Sequence, residues 1–272
     1  MPDRTENHTQ PIFAGLIFFM SYVPTLIWMW DRWFASDSYY SHGILIPFVT
    51  TSLIWQKRTE LIKIKKVRSA VGLPLILMGM AAHAFGSLMR VYFVSGFSML
   101  LVLIGLILFF YGTAVLKKIM FPVLFLVFMI PVPLVLITNV SFKMKIFAAK
   151  IATTILNNSG IPAVRNGSII RMSHTQVVVD DVCSGLRSLI SLMALGSIFA
   201  YWMKAKMARR LFLFLTAIPI AIITNVIRVF FLASVAEIWG AEIAGGVLHD
   251  ISGFLVFALA FVLLYIMVRI LE

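Results

Sequence analysis

Three residues stand out for their reactivity in a chain that is otherwise mostly apolar: Cys183, Arg228 and His249. Cys183 is the one cysteine. It cannot form an intramolecular disulfide and leaves a free thiol. A thiol attacks a carbonyl only as thiolate, and its ordinary pKa is near ~8.5. A helix N-terminus and a nearby cation both stabilise that anion. An imidazole can take the thiol proton and return it to a leaving amine. A guanidinium never loses its charge, so it suits the thiolate or the oxyanion of a tetrahedral intermediate. Cys183, His249 and Arg228 would therefore be nucleophile, proton carrier and fixed cation of a thiol acyl transfer, provided the fold brings them together.

The elements that must position them are membrane helices. Hydrophobic residues make up 61% of the chain, charged residues 12%, and the mean hydropathy is +1.00. A soluble domain of 272 residues could not cover so much apolar surface. A spanning helix needs about 20 mostly apolar residues. Candidate runs are 12–30, 44–55, 71–88, 92–111, 119–137, 186–203, 211–236 and 251–270. The expected fold is an all-α polytopic membrane protein of about eight spans, read as one domain over residues 1–272. The second run is short, and the fifth carries Pro122, Pro131 and Pro133, which kink or end helices. The first run lacks an obvious small-residue cleavage site and reads as a retained span.

The net charge of +12 raises the question of a nucleic-acid partner. Its distribution argues for membrane orientation instead. Lys57, Arg58, Lys63, Lys65, Lys66 and Arg68 follow the second run. Lys117 and Lys118 follow the fourth, Lys204, Lys206, Arg209 and Arg210 the sixth, and Arg269 ends the eighth. Each basic cluster follows an even-numbered run, so the positive-inside rule puts both termini in the cytoplasm. The exception is the stretch between the fifth and sixth runs, with Lys143, Lys145, Lys150, Arg165 and Arg171. Its first part, 141–157, fits an amphipathic helix on the membrane surface. Its second part carries a hairpin turn signal, Asn166-Gly167, and a valine-rich stretch at 176–179, so a small extracytoplasmic β-hairpin should precede Cys183.

This threading predicts convergence. Cys183 falls at the outer start of the sixth span and His249 at the outer start of the eighth. The seventh enters from the cytoplasm near Leu211, and seventeen residues later Arg228 lies about 25 Å deeper at a rise of ~1.5 Å per residue. Asn225, one turn before Arg228, is placed to orient it. Asp180 and Asp181 oppose thiolate formation unless a cation such as Arg187 pairs with them. Each group also has a plainer reading: a lone membrane cysteine packs as a small apolar residue, an arginine near the interface snorkels, and a histidine at a helix start is solvated. His42 in an outer loop would contact substrate or simply be solvated, His83 is a packed polar group, His174 belongs to the hairpin, and Asp250 caps the eighth helix.

The string Cys183-Ser-Gly-Leu-Arg-Ser188, the segment Asn225-Val-Ile-Arg228 and the segment Leu248-His-Asp250 closely resemble the exosortases, relatives of the archaeosortases. Tyr40-Ser-His-Gly-Ile-Leu-Ile-Pro47 and Phe128-Met-Ile-Pro-Val-Pro133 are similar to further signatures of that family, so the likeness spans nearly the whole chain. The resemblance implies a cysteine protease or transpeptidase in the cytoplasmic (inner) membrane, active at its outer face, with Cys183, Arg228 and His249 catalytic. Supporting or substrate-binding roles fall to Arg187, Asn225, Ser184, Asp181 and His42. Substrates would be secreted proteins whose C-terminal sorting tail has a Pro-Glu-Pro-type motif, a transmembrane helix and a basic cluster. A link to exopolysaccharide biosynthesis is implied too. Asp181 stands where the family commonly has Glu, and Asp180 where a small apolar residue is expected.

No cofactor, metal or nucleic-acid partner is expected, since no metal cluster, P-loop or dinucleotide fingerprint is found. Two other classes offer alternatives. A transporter or channel predicts inverted repeats and polar residues near the bilayer midplane, and neither stands out. A non-proteolytic membrane subunit of polysaccharide export has no nucleotide or metal motif to support it.

Overall fold

The computed structural model describes residues 9–36, 38–180 and 184–272, without the side chains of Val247 and Asp250. Cys183 and Asp181 therefore lie outside the described residues. The described chain is mainly helical, with one small antiparallel sheet, and divides into two compact units, Met1–Val132 and Pro133–Glu272. The sequence reading of one domain carries no hint of that division.

The first unit holds α1 (Thr9–Trp33), α2 (Leu45–Gln56), α3 (Arg58–Lys63), α4 (Gly72–Leu88) and α5 (Tyr92–Phe125). Short 3₁₀ turns at Ser41–Ile44 and Leu126–Met129 precede α2 and follow α5. A straight helix over 92–129 would hold residues 96 and 130 about 50 Å apart at ~1.5 Å per residue. Gly96 instead lies so close to Ile130 that an added Cβ would sit 2.8 Å from its side chain. The chain must reverse, and the one non-helical residue inside α5 is Gly112, at φ 85° and ψ 179°. Only glycine adopts that backbone cheaply, and a Cβ there would also strike the Val67 carbonyl. The fourth and fifth runs expected from sequence are thus the two antiparallel halves of α5.

Side-chain pairs fix the direction of the other passes. Tyr22–Ser98, Thr25–Ser95 and Trp28–Tyr92 set α1 antiparallel to the first half of α5. Thr50 to the Pro122 carbonyl and Lys57 to the Lys118 carbonyl do the same for α2 and the second half. One end of the unit gathers the basic clusters. There Arg68 bonds Gln10, Lys118 pairs with Glu60, and Lys66 sits over Tyr111. The exposed Glu60 carboxyl is held below its usual range by Lys118. Arg32 and Arg90 lie toward the opposite end, with Trp33 and Tyr40.

Pro131 and Pro133 stop the helical run that ends the first unit earlier than expected, at Met129, and the second unit follows. A longer helix than the sequence suggested then begins, α6 (Leu134–Asn158). Its small residues Ala148, Ala149 and Ala152 with Leu156 pack into a core with Val226, Val229 and Ala233. A helix committed to that core is more than the surface element expected at 141–157. The hairpin β1 (Ala163–Asn166) and β2 (Ile169–Met172) turns at Gly167 as the Asn-Gly signal implied, and β3 (Gln176–Val178) adds a third strand. The sheet order is β1-β2-β3, all antiparallel. Three further passes follow: α7 (Leu186–Trp202), α8 (Met207–Trp239) and, after the short α9 (Ala241–Gly245), α10 (Val247–Leu271). Leu192, Leu213, Ala217, Ala260 and Leu264 hold them together. Arg209 bonds the Leu271 carbonyl, so α8 begins where α10 ends.

Among the described residues four helices, 9–33, 92–129, 207–239 and 251–271, are long and apolar enough to cross a membrane, and α4 and α7 are shorter apolar helices.

Candidate active site

The site lies where α8 and the first turn of α10 meet. Arg228 sits mid-helix with only 8% of its surface exposed, at a cost in apolar surroundings that demands partners. It has them. Its Nη2 donates to the His249 carbonyl at 3.0 Å and lies 3.4 Å from His249 Nε2, and its Nε donates to Ser252 Oγ at 3.1 Å. Ser252 in turn donates to the His249 carbonyl at 2.7 Å. A hydroxyl one turn beyond His249 thus ties the guanidinium to the carbonyl of the same turn. Gly253 completes the seat, since a Cβ there would come 3.2 Å from Arg228 Nη2. The planar fork is held at two of its edges, which a lysine could not reproduce.

Sequence reasoning placed Arg228 and His249 together, and the structure does so. It missed Ser252 and Gly253, whose signal was their spacing of one helical turn after His249. Asn225, expected to orient Arg228, has its side chain against Gly185, where an added Cβ would come 2.6 Å from Asn225 Cγ. Gly185 has φ 79° and is the N-cap of α7, so the turn after Cys183 needs a glycine for both its backbone and this contact. Ser184 is fully buried and its Oγ accepts from the Leu186 amide at 3.3 Å. Ser184 and Asn225 also line an apolar cavity of about 280 Å³ with Lys143, Phe147 and Ile222. Arg187 is half-buried in the first turn of α7. The expected partnership of Arg187 with Asp181 lies outside the described residues, as does the Cys183 thiol.

A second cavity, about 330 Å³, opens beside His249. β3 forms one wall through Gln176, Val177 and Val178, with Asp180 just beyond it; Leu232 and Ala236 of α8 form the floor, and Ala244 and Gly245 of α9 the far side. His174, after β2, is tied to Glu237 of α8 at 2.9 Å, anchoring the sheet to the helix. Asp250 does not occupy the capping position expected for it: Gly246 is the N-cap of α10.

His42 belongs to the first unit and is packed there, not solvated. Its ring stacks 6.0 Å from Tyr40, whose hydroxyl accepts from the Val132 amide. Burial pushes the His42 ring down to about 4, against the opposing pull of its bond to the Phe128 backbone. Trp33 donates to the Met129 carbonyl at 2.8 Å beside it. The two upstream signatures, around Tyr40–Pro47 and Phe128–Pro133, are thus stitched to each other. His83 is a packed polar group as expected, with Nδ1 2.7 Å from Ser95 Oγ.

A multi-pass membrane protein with a buried arginine held against a half-buried histidine, beside a helix-end groove, is the class that this fold and site define. Residues 30–266 match the family of transmembrane exosortases, and the chain belongs to that family. No curated protein and no solved structure matches it.

Proposed function

We propose that this exosortase is a cysteine endopeptidase or transpeptidase acting on C-terminal sorting tails of secreted proteins. The observation that carries this reading is the buried Arg228 held against the half-buried His249, in the first turn of α10. Arg228 lies one turn after Asn225, whose side chain lies against Gly185, two residues after Cys183 in sequence. All eight passes cross the bilayer in this reading, with both termini in the cytoplasm of the inner membrane and the site at its outer face. The basic ends of the helices favour that orientation.

The Cys183 thiolate attacks the scissile carbonyl, and Arg228 stabilises the oxyanion that forms. The C–N bond breaks, and the leaving amine carries away the proton that His249 took from the thiol. Water or an amine acceptor then attacks the thioester, releasing the thiol. The tail's apolar helix stays in lipid while its extracytoplasmic segment reaches the groove beside His249. Neither a metal nor a cofactor is required in this scheme, and a connection to exopolysaccharide biosynthesis belongs to the same reading.

The test is cleavage in cells of a secreted reporter carrying a Pro-Glu-Pro motif, an apolar helix and a basic end. Cys183→Ala should insert normally and abolish cleavage, and Cys183→Ser should be nearly as inactive, because a hydroxyl ionises far less readily. Cleavage retained by Cys183→Ala overturns the assignment.

A further inference from the structure

The β3 strand sits at the edge of its sheet, and that edge is the wall of the groove beside His249. The ladder shows which backbone groups it offers. The Met172 amide bonds the Thr175 carbonyl at 2.8 Å, and the Val179 amide bonds the Ser168 carbonyl at 3.0 Å. With Ile170 opposite Val177, the alternation of an antiparallel pair turns the backbone N–H and C=O of Thr175, Val177 and Val179 toward β2, while the Val177 side chain packs toward α8. Gln176 and Val178 then present their N–H and C=O groups to the groove, and these four have no described hydrogen bond. An open strand edge is a template for another extended chain.

We infer that the groove takes the extracytoplasmic segment of the sorting tail as a fourth strand on β3, in register with Gln176 and Val178; this rests on the acyl-transfer reading above. An extended chain cannot enter a groove of this size without hydrogen-bond partners for its backbone, and the strand edge supplies them. The small residues Ala236, Ala244 and Gly245 leave the opposite side open for side chains.

The same geometry specifies the segment's chemistry. Ligand residues opposite Gln176 and Val178 must offer their own N–H groups to β3. Those opposite Thr175 and Val177 face away, need no N–H, and tolerate proline. Side chains directly opposite one another share a face, and Arg171 is opposite Gln176. A ligand side chain opposite Gln176 therefore points to the face that carries the exposed Arg171, where a carboxylate is favoured. Asp180, at the other end of the groove, repels a carboxylate there. On this register the acidic residue of a Pro-Glu-Pro tail stands opposite Gln176, and its two prolines stand opposite Thr175 and Val177.

The test uses the full-length protein and the secreted reporter with a Pro-Glu-Pro tail, beside a second reporter with Pro-Lys-Pro. Arg171→Glu should lower cleavage of the first about tenfold and raise cleavage of the second by a similar factor. Val178→Pro removes only the outward N–H and should lower cleavage of both, with unchanged membrane levels. Should Val178→Pro fail to accumulate, the reporter swap with Arg171→Glu decides alone, since it leaves the ladder intact. Unchanged cleavage of both reporters by Arg171→Glu overturns the strand inference. If Cys183→Ala is inactive in the same assay, the acyl-transfer reading survives that loss; if Cys183→Ala still cleaves, the reading itself has failed.

Discussion

Each unit buries a cluster of polar groups among apolar helices, and the two clusters differ in kind. In the first unit Tyr22, Thr25, His83, Ser95 and Ser98 bond one another across α1, α4 and α5, and Tyr22 lies against the His83 ring with centroids 4.1 Å apart. Every polar group answers another, and their effect is to fix which helix faces which. In the second unit a permanent cation is held next to an imidazole, and the imidazole lines an open groove. A charge kept against its desolvation cost, beside an imidazole that faces a groove, is the arrangement the proposed chemistry needs. A saturated neutral network marks packing. The location of a polar group inside a membrane helix does not separate the two; its charge and its exposure to a groove do.

The comparison is broken most sharply at Arg228. Arg228→Lys keeps the charge but loses the two-edged fork, and cleavage of the reporter should fall by roughly 10²–10³-fold, the cost of losing a well-placed oxyanion donor. Ser252→Ala retains the guanidinium and removes one anchor, so the same assay should show a smaller loss of about tenfold. Full activity in Arg228→Lys would mean that a point charge suffices there. Ser95→Ala, in the first unit, should do the reverse. Unfolding in detergent should show a loss of about 0.6–2 kcal/mol, while cleavage per folded molecule stays at the wild-type level.

The smallest effect is a pH dependence at the junction of Tyr40–Gly43 with Phe128–Val132. His42 titrates lower in the fold than in the unfolded chain, where a histidine has a pKa of ~6.5. Between these values the unfolded state binds more protons. The stability contributed by neutral His42 is therefore present above about 6.5 and lost as pH falls toward about 4. Melting temperatures recorded across that window should drop with acid, and His42→Gln should flatten the drop. An unchanged slope in His42→Gln would place the acid sensitivity elsewhere.

Much of the helical layout was legible in the residues, because apolar run length and the position of lysines and arginines report directly on bilayer crossing. Arg228 and His249 followed from the same count. The hairpin turn was legible at Asn166-Gly167, since a positive φ leaves a residue signature. What escaped depends on partners distant in sequence. The valine-rich stretch at 176–179 was legible as strand-like, but its place as a third strand, β3, comes only from its pairing with β2. The extension of α6 depends on a core supplied by α8 and the sheet. Ser252 reads as an ordinary serine until Arg228 is seen to reach it from another helix. The network around Ser95 escaped for the same reason: its members are common hydroxyl residues, and only the packing of three helices gives them to one another.

The central claim is that sulfur of Cys183 carries the acyl group while Arg228 and His249 serve it. Its most direct measurement is mass spectrometry of the full-length protein isolated from cells expressing the reporter, with and without hydroxylamine. The account predicts a thioester-linked reporter fragment on Cys183, released by hydroxylamine as a hydroxamate ending at the cleavage site, and absent from Arg228→Lys. Reporter cleavage that proceeds with no adduct on Cys183, and no hydroxamate formed, would contradict it.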